Sequence, residues 1–235
     1  MKDLEAMYQD YNIFECFDMY LTQKTGEIIG PRVADRNVLE MGCSNGLMTD
    51  ILVSYAKSLI IIEGVKHFTD EVSNRYKDRI KVCNCLFEEF MPDTQYDAIV
   101  LTNVLHNVND PIALLKKVRN WLSSSGSLYI TVPNVLSLHR QLGVKMGLIK
   151  DVFDNSERNI QFDQSGRYTK EILIKQLESC DYMINECFGF LLKPFSHEQM
   201  KALNPSNELI DALFELGKEY EDIASNIFLE AVPSG

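Results

Sequence analysis

Short apolar runs alternate along this chain with longer stretches of helical periodicity. Runs at 38–41, 58–63, 79–84, 95–103 and 127–134 are rich in Val, Ile and Leu and have the length of strands. The run at 95–103 is apolar on both faces, as a central parallel strand requires. After the first run, Met48, Ile51, Leu52 and Tyr55 share one helical face. A second helix is predicted over 65–76, and a third over 112–122 with Leu114, Leu115, Val118 and Trp121 inward. The gaps leave room for the crossovers that join parallel strands. This order of units predicts a doubly wound α/β sheet, which binds ligands at the carboxyl ends of its strands. Residues 1 to about 36 read as helical, with aromatics at Tyr8, Tyr11, Phe14, Phe17 and Tyr20. They are either a core-facing stripe that covers the sheet edge or, in part, a closure over the ligand.

The most specific local feature follows the first strand. Gly42 and Gly46 bracket a tight turn that feeds a helix, and such a turn leaves helix-start amides free for a polar group. About twenty residues on, the second strand ends in Glu63 and Gly64. A glycine turn after strand one and an acid at the tip of strand two grip an adenosine ribose in doubly wound folds. A nicotinamide oxidoreductase shares this pairing. The loop reads Glu40-x-Gly42-x-Ser44-x-Gly46, however, and this resembles motif I of the class I S-adenosylmethionine-dependent methyltransferases, with Ser44 at the middle glycine.

That resemblance implies a seven-stranded, mostly parallel Rossmann-like sheet with helices on both faces and an N-terminal helical cover. The last two strands, at 183–192 and 227–232, then form an antiparallel edge. S-adenosylmethionine is the implied cofactor and S-adenosylhomocysteine its product. Glu40, Gly42, Cys43, Ser44, Gly46, Glu63 and Gly64 are the implied cofactor residues around the loop. In the family an acid after strand three meets the adenine. Leu86 stands at that position here, so apolar contact from Leu86 and Phe87 is expected, with Glu88 a helix-start carboxylate or its substitute. The segment 103–111 is similar to motif IV of small-molecule methyltransferases. It contributes Asn103 to the cofactor and sets His106 where the family usually has Glu, and Asn107 where it has His.

Beyond strand five, Pro133, Asn134, Ser137, Leu138, His139, Arg140, Leu142, Gly143, Met146 and Gly147 match a bacterial subgroup acting in surface-glycan and specialised-metabolite pathways. The polar stretch 150–166 looks like an insertion over the site, and long loops of this kind are usually functional lids or disordered. In the subgroup a Gly-His-Arg stretch precedes the tyrosine matched to Tyr168, whereas residues 163–167 here lack that histidine. Thr169 caps a helix over 170–180, and 193–200, which also resembles the subgroup, opens a helical stretch through Tyr220. The chain is therefore read as one domain, 1–235, with a cover at 1–36 and a substrate lid at 135–168.

Composition narrows the chemistry. A net charge of −11 over 235 residues argues against nucleic-acid partners and anionic membrane surfaces. No apolar run approaches a membrane span, and the N-terminus carries no signal-peptide pattern. Six scattered cysteines without metal-ligand spacing read as reduced thiols of a cytosolic protein. Methyl transfer from a sulfonium needs no metal and no covalent nucleophile, in keeping with these residues. It needs alignment of an acceptor oxygen or nitrogen and, for some acceptors, a base. His106 and His139 follow strands four and five and are the candidate bases or substrate hydrogen-bonders, while His67 and His197 read as structural. Asn107, Asn134, Arg140, Arg158, Arg167 and Tyr168 are the expected acceptor contacts. The arginines either bind a phosphate or carboxylate bidentately or pair with nearby acids. The expected partner is a small polar, sugar- or phosphate-bearing acceptor, with a homodimer left open. A non-catalytic binding module is the third reading, on Ser44, Leu86 and the His106-Asn107 exchange.

Overall fold

A computed structural model of the protein describes residues 4–234. The first three residues of the expected cover, and Gly235, lie outside the described residues. One seven-stranded sheet has the order β3-β2-β1-β4-β5-β7-β6. Its strands are β1 (Asn37–Met41), β2 (Ser58–Glu63), β3 (Lys81–Asn84), β4 (Tyr96–Thr102), β5 (Leu122–Pro133), β6 (Tyr182–Phe190) and β7 (Asn226–Pro233). β1 to β5 pair in parallel, whereas β7 runs antiparallel to both β5 and β6. The helices are α1 (Leu4–Tyr8), α2 (Asp18–Ile29), α3 (Leu47–Tyr55), α4 (Lys66–Tyr76), α5 (Pro111–Trp121), α6 (Leu138–Lys145), α7 (Glu157–Gln161), α8 (Lys170–Glu178), α9 (His197–Leu203) and α10 (Asn207–Glu219).

Alternation along the strands builds two cores. Leu39, Ile99, Leu101, Leu128 and Ile130 pack with Leu114, Leu115 and Val118 of α5 and Leu173 and Leu177 of α8. Their strand neighbours Val38, Ala98, Val100 and Tyr129 face the other way, onto α2, α3, α4, α9 and α10. A strand buried on both faces puts successive side chains into different cores, which is why its sequence reads as a continuous apolar run.

Three local expectations are adjusted. The fifth strand begins at Leu122 rather than at 127 and carries an irregularity, because Tyr96 pairs with Leu122 while Ala98 pairs with Ser127. Gly126 is needed there, since a Cβ would lie 2.8 Å from the Tyr96 carbonyl oxygen. The N-terminal cover is not one helix. It breaks between α1 and α2, where a short 3₁₀ turn, Ile13–Glu15, is capped by Asn12. That break turns Tyr8 and Tyr11 toward the carboxyl edge of the sheet, whereas Phe17 enters the core and Phe14 stays exposed. The helical stretch near 193–220 likewise divides into α9 and α10, separated by Asn204 in the left-handed region.

Candidate active site

The loop after β1 is shaped by backbone conformation. Gly42 (φ +84°) and Gly46 (φ +85°) occupy the left-handed region. A Cβ on Gly42 would lie 2.7 Å from Val104 Cγ2, so the loop and the tip of β4 approach as closely as a glycine allows. Ser44 also has positive φ, 49°, which accounts for a glycine at this place in the motif it resembles. Gly46 starts α3 without a side-chain cap.

Glu63 closes this loop from the end of β2. Its Oε2 accepts from the amides of Cys43 (3.0 Å) and Ser44 (3.2 Å), and its Oε1 from Val65 N (2.9 Å). Burial raises its carboxyl against the opposing pull of these amides. Gly64 N adds to this pull, so a ring of amides holds the carboxylate at the cavity wall. Glu40 stands beneath the loop. It is fully buried, accepts from Thr49 Oγ1 at 2.7 Å and does not line the cavity. Gly46 likewise shapes the turn without reaching the wall.

A cavity of about 1080 Å³ opens over this edge. Gly42, Cys43, Ser44, Glu63 and Gly64 form one side, with Leu86, Phe87 and Asn103 beside them. Asn103 has positive φ, and its Oδ1 accepts from Asn226 Nδ2 at 2.9 Å. His106 lies in the 3₁₀ turn after β4, 4% exposed, and its Nδ1 meets no hydrogen-bond partner among the described residues. His139 Nδ1 is in the same situation on α6. Burial depresses both imidazoles, His106 to about 3, so both are neutral at physiological pH.

The substrate half departs from several expectations. Arg140 lines the cavity, but it donates to the carbonyls of Val152 (2.7 Å) and Asp154 and so ties the lid together. Arg167 does not line it, and donates to the carbonyls of Gln164 and Gly166, each at 2.9 Å. A guanidinium has five donors in a fixed fork, and loop carbonyls clustered around it satisfy them as an anion would. Arg158 pairs with Asp18 and lies 5.0 Å over the Phe162 ring. Tyr168 is a core residue, 3% exposed, whose backbone bridges to Asn134. The Asn134 side chain donates to the carbonyls of Asp222 and Ala224, each at 3.0 Å, fixing the start of the lid. Asn107 remains on the cavity wall, its amide 3.4 Å from the Asn103 carbonyl. The lid sits close to the strand-four turn, because Gly166 N donates to the His106 carbonyl at 2.9 Å. A Cβ on Gly166 would be 2.6 Å from His106 Cα.

Residues outside the expected set complete the wall. His197, expected to be structural, lines the cavity at the start of α9 with its Nδ1 3.4 Å from Asp18 Oδ1. Asp18 accepts from the Tyr11 hydroxyl at 2.9 Å and from Arg158. Burial works against its ionisation, yet His197, Arg158 and Tyr11 outweigh it and hold the carboxyl near 2. Arg158 is the cation that does so at neutral pH, since burial leaves His197 uncharged there. Lys193, in the turn after β6, also lines this end. The available signals were an acid inside an aromatic stripe and a lysine closing an apolar strand, and neither pattern reveals what it will face. Among the described residues no group of three or more His, Cys, Asp or Glu could hold a metal ion, and no helix is long and apolar enough to cross a membrane.

Sheet order, glycine turn and acidic strand end define a Rossmann-like domain with a large ligand site at its carboxyl edge. The chain belongs to the methyltransferase domain family, whose profile matches residues 19–170. It is similar to the human mitochondrial ubiquinone biosynthesis O-methyltransferase, at 28% identity over 185 residues, 71% of this chain and 47% of that protein. A probable S-adenosylmethionine-dependent methyltransferase of Mycobacterium tuberculosis is 28% identical over 107 residues, 45% of this chain and 39% of that protein. The chain thus spans about half or less of the length of these relatives. The plantazolicin methyltransferase, solved with a monoazolic desmethylPZN analog and SAH, shares the fold at TM-score 0.66 and 16% identity over 99% of this chain and 91% of its own. An S-adenosylmethionine-dependent methyltransferase from Mesorhizobium loti does so at TM-score 0.61 and 14% identity, over 88% and 95%.

Proposed function

We propose that this protein is an S-adenosylmethionine-dependent methyltransferase acting on an oxygen or nitrogen of a small polar metabolite that bears a sugar or phosphate. The observation that carries the reading is the cradle made by Gly42, the loop amides and Glu63 at one side of a cavity of about 1080 Å³. Typical small-molecule pockets span roughly 300–1,000 Å³, so this one has room for a cofactor and an acceptor together.

The residues present fit the cofactor. Gly42 and Gly64 let a ligand approach the backbone, Glu63 presents its carboxylate at the cavity wall to ribose hydroxyls, and Leu86 and Phe87 supply an apolar wall for a base. When bound, S-adenosylmethionine supplies an electrophilic methyl group. The chain's part is to orient the acceptor and exclude water. Tyr8 and Tyr11 from the cover, and Arg158 and Phe162 from the lid, wall the cavity off from solvent. His106 or His139, each neutral with a vacant Nδ1, takes the acceptor's proton or holds it in a hydrogen bond that aims the lone pair. Six free thiols are in keeping with a cytosolic setting.

Calorimetry tests the reading. S-adenosylhomocysteine should bind the wild type, and Glu63→Ala should weaken it by several kcal/mol through the lost acceptor and the released loop amides. Unchanged affinity in that variant would sink the cofactor assignment. Tight NAD binding without S-adenosylhomocysteine binding would instead indicate an oxidoreductase. Binding without methyl transfer across a panel of sugar phosphates, phenols and amines would indicate a binding module.

A further inference from the structure

Lys193 stands out among the described residues as a charge without a partner. It follows β6 just before Pro194, is 2% exposed, and lines the cavity. Among the described residues no hydrogen bond reaches its ammonium, which lies 5.8 Å from the centroid of the Phe17 ring. Asp18 acts on it electrostatically, but that carboxylate is already engaged by Tyr11, Cys16 and Arg158. Lys193 is nearly buried and its ammonium, without a hydrogen bond from the protein among the described residues, opens onto the cavity, so an anionic ligand there would supply the partner the protein does not.

Its neighbours share this condition. His139 Nδ1 and Ser225 Oγ are buried, line the same cavity, and have no hydrogen-bond partner among the described residues, and His197 Nδ1 is buried with only Asp18 Oδ1 nearby, at 3.4 Å. Each can donate to an oxyanion, the imidazoles through the appropriate tautomer, and a donating His139 leaves the acceptor's proton to His106. The nearby arginines cannot take this role, since Arg140 serves lid carbonyls and Arg158 serves Asp18. Counting protonated Lys193, Arg140 and Arg158 against Asp18 and Glu198 leaves one positive charge at this end of the cavity, in a chain whose net charge is −11. We propose that this end of the cavity is the subsite for an anionic group on the methyl acceptor, a carboxylate or a phosphate, with Lys193 as its charge partner and His139, His197 and Ser225 as hydrogen-bond donors. The proposal rests on the methyltransferase reading and deepens it.

A consequence concerns protons. Burial pulls the Lys193 ammonium down to about 7, with Asp18 opposing, so the lysine is only partly charged at neutrality. The titratable and charged groups facing it are Asp18 from α2, His139 and Arg140 from α6, Arg158 from α7, and His197 and Glu198 from α9. Both histidines are held neutral, so binding of an anion is coupled to uptake of a proton from solvent by Lys193.

The experiment titrates S-adenosylhomocysteine-saturated protein with succinate and, separately, with inorganic phosphate. It uses the wild type, Lys193→Met and Lys193→Arg. At least one probe should bind the wild type, more tightly at pH 6 than at pH 8.5. Binding should weaken about thirtyfold or more in Lys193→Met and survive largely in Lys193→Arg. Which probe binds distinguishes carboxylate from phosphate. The proposal is overturned if neither probe binds the wild type, if Lys193→Met binds as tightly, or if the wild type favours pH 6 over pH 8.5 no more than Lys193→Arg does, the probe's own ionisation being common to both. That comparison decides the matter even if Lys193→Met folds poorly. S-adenosylhomocysteine affinity, read in the same samples, separates failure of this subsite from failure of the methyltransferase reading.

Discussion

Replacing Glu40 by glutamine isolates one charge under the cofactor loop. Glu40 has no exposed surface, its Oε2 accepts from Thr49 Oγ1 at 2.7 Å, and its Oε1 has no hydrogen-bond partner among the described residues. Burial drives the carboxyl from an ordinary 4.5 up to about 8; the Thr49 bond opposes this, and Glu63 and Asp50 add to it. The sign follows from proton counting. Above pH 4.5 the unfolded chain releases this proton while the folded protein keeps it until about pH 8. The folded state therefore holds more protons, and stability falls as pH rises through that window. At pH 7, about 2.5 pH units above the unfolded value at ~1.4 kcal/mol each, the cost is about 3 kcal/mol. Glutamine keeps the acceptor for Thr49 and carries no proton to lose. Urea denaturation of wild type and Glu40→Gln at pH 4, 7 and 8.5 should give nearly equal stabilities at pH 4. The variant should be about 3 kcal/mol more stable at pH 7, with a wider gap at pH 8.5. A difference that does not change with pH, or a less stable variant at pH 7, would refute the reasoning.

The cofactor loop and lid give further expectations. Gly42→Ala places a Cβ at positive φ and 2.7 Å from Val104 Cγ2, so it should weaken S-adenosylhomocysteine binding at least tenfold in calorimetry and cost about 1–2 kcal/mol of stability. Because burial depresses His106 to about 3 and His139 well below its ordinary value, both stay neutral from pH 5 to 8. The kcat–pH profile should then lack an acid limb from either, and a limb near pH 6.5 that vanishes in His106→Asn or His139→Asn would contradict this. Arg140→Lys loses the fork that spans the carbonyls of Val152 and Asp154, so it should raise KM for the acceptor severalfold while S-adenosylhomocysteine affinity holds.

Sheet and cofactor cradle were legible in the chain because their signals are local. Each central strand is an unbroken apolar run since both of its faces are buried, and strand alternation with helical periods implies the parallel order. Gly42, Ser44 and Gly46 bend one turn, and Glu63 ends the next strand, so a short stretch of sequence holds the cradle's main parts. The cover and the acceptor end are different. Tyr11, Asp18, Arg158, Lys193 and His197 come from five places in the chain and meet only once the lid lies against α2 and α9. The arginines of the lid read as anion binders from residue type alone. Tertiary structure gave Arg140 and Arg167 to loop carbonyls and Arg158 to Asp18, because a folded loop must satisfy its own backbone before it can serve a ligand. It left Lys193, which no periodicity marks, facing the cavity without a hydrogen bond among the described residues, since only packing decides which charges find a partner.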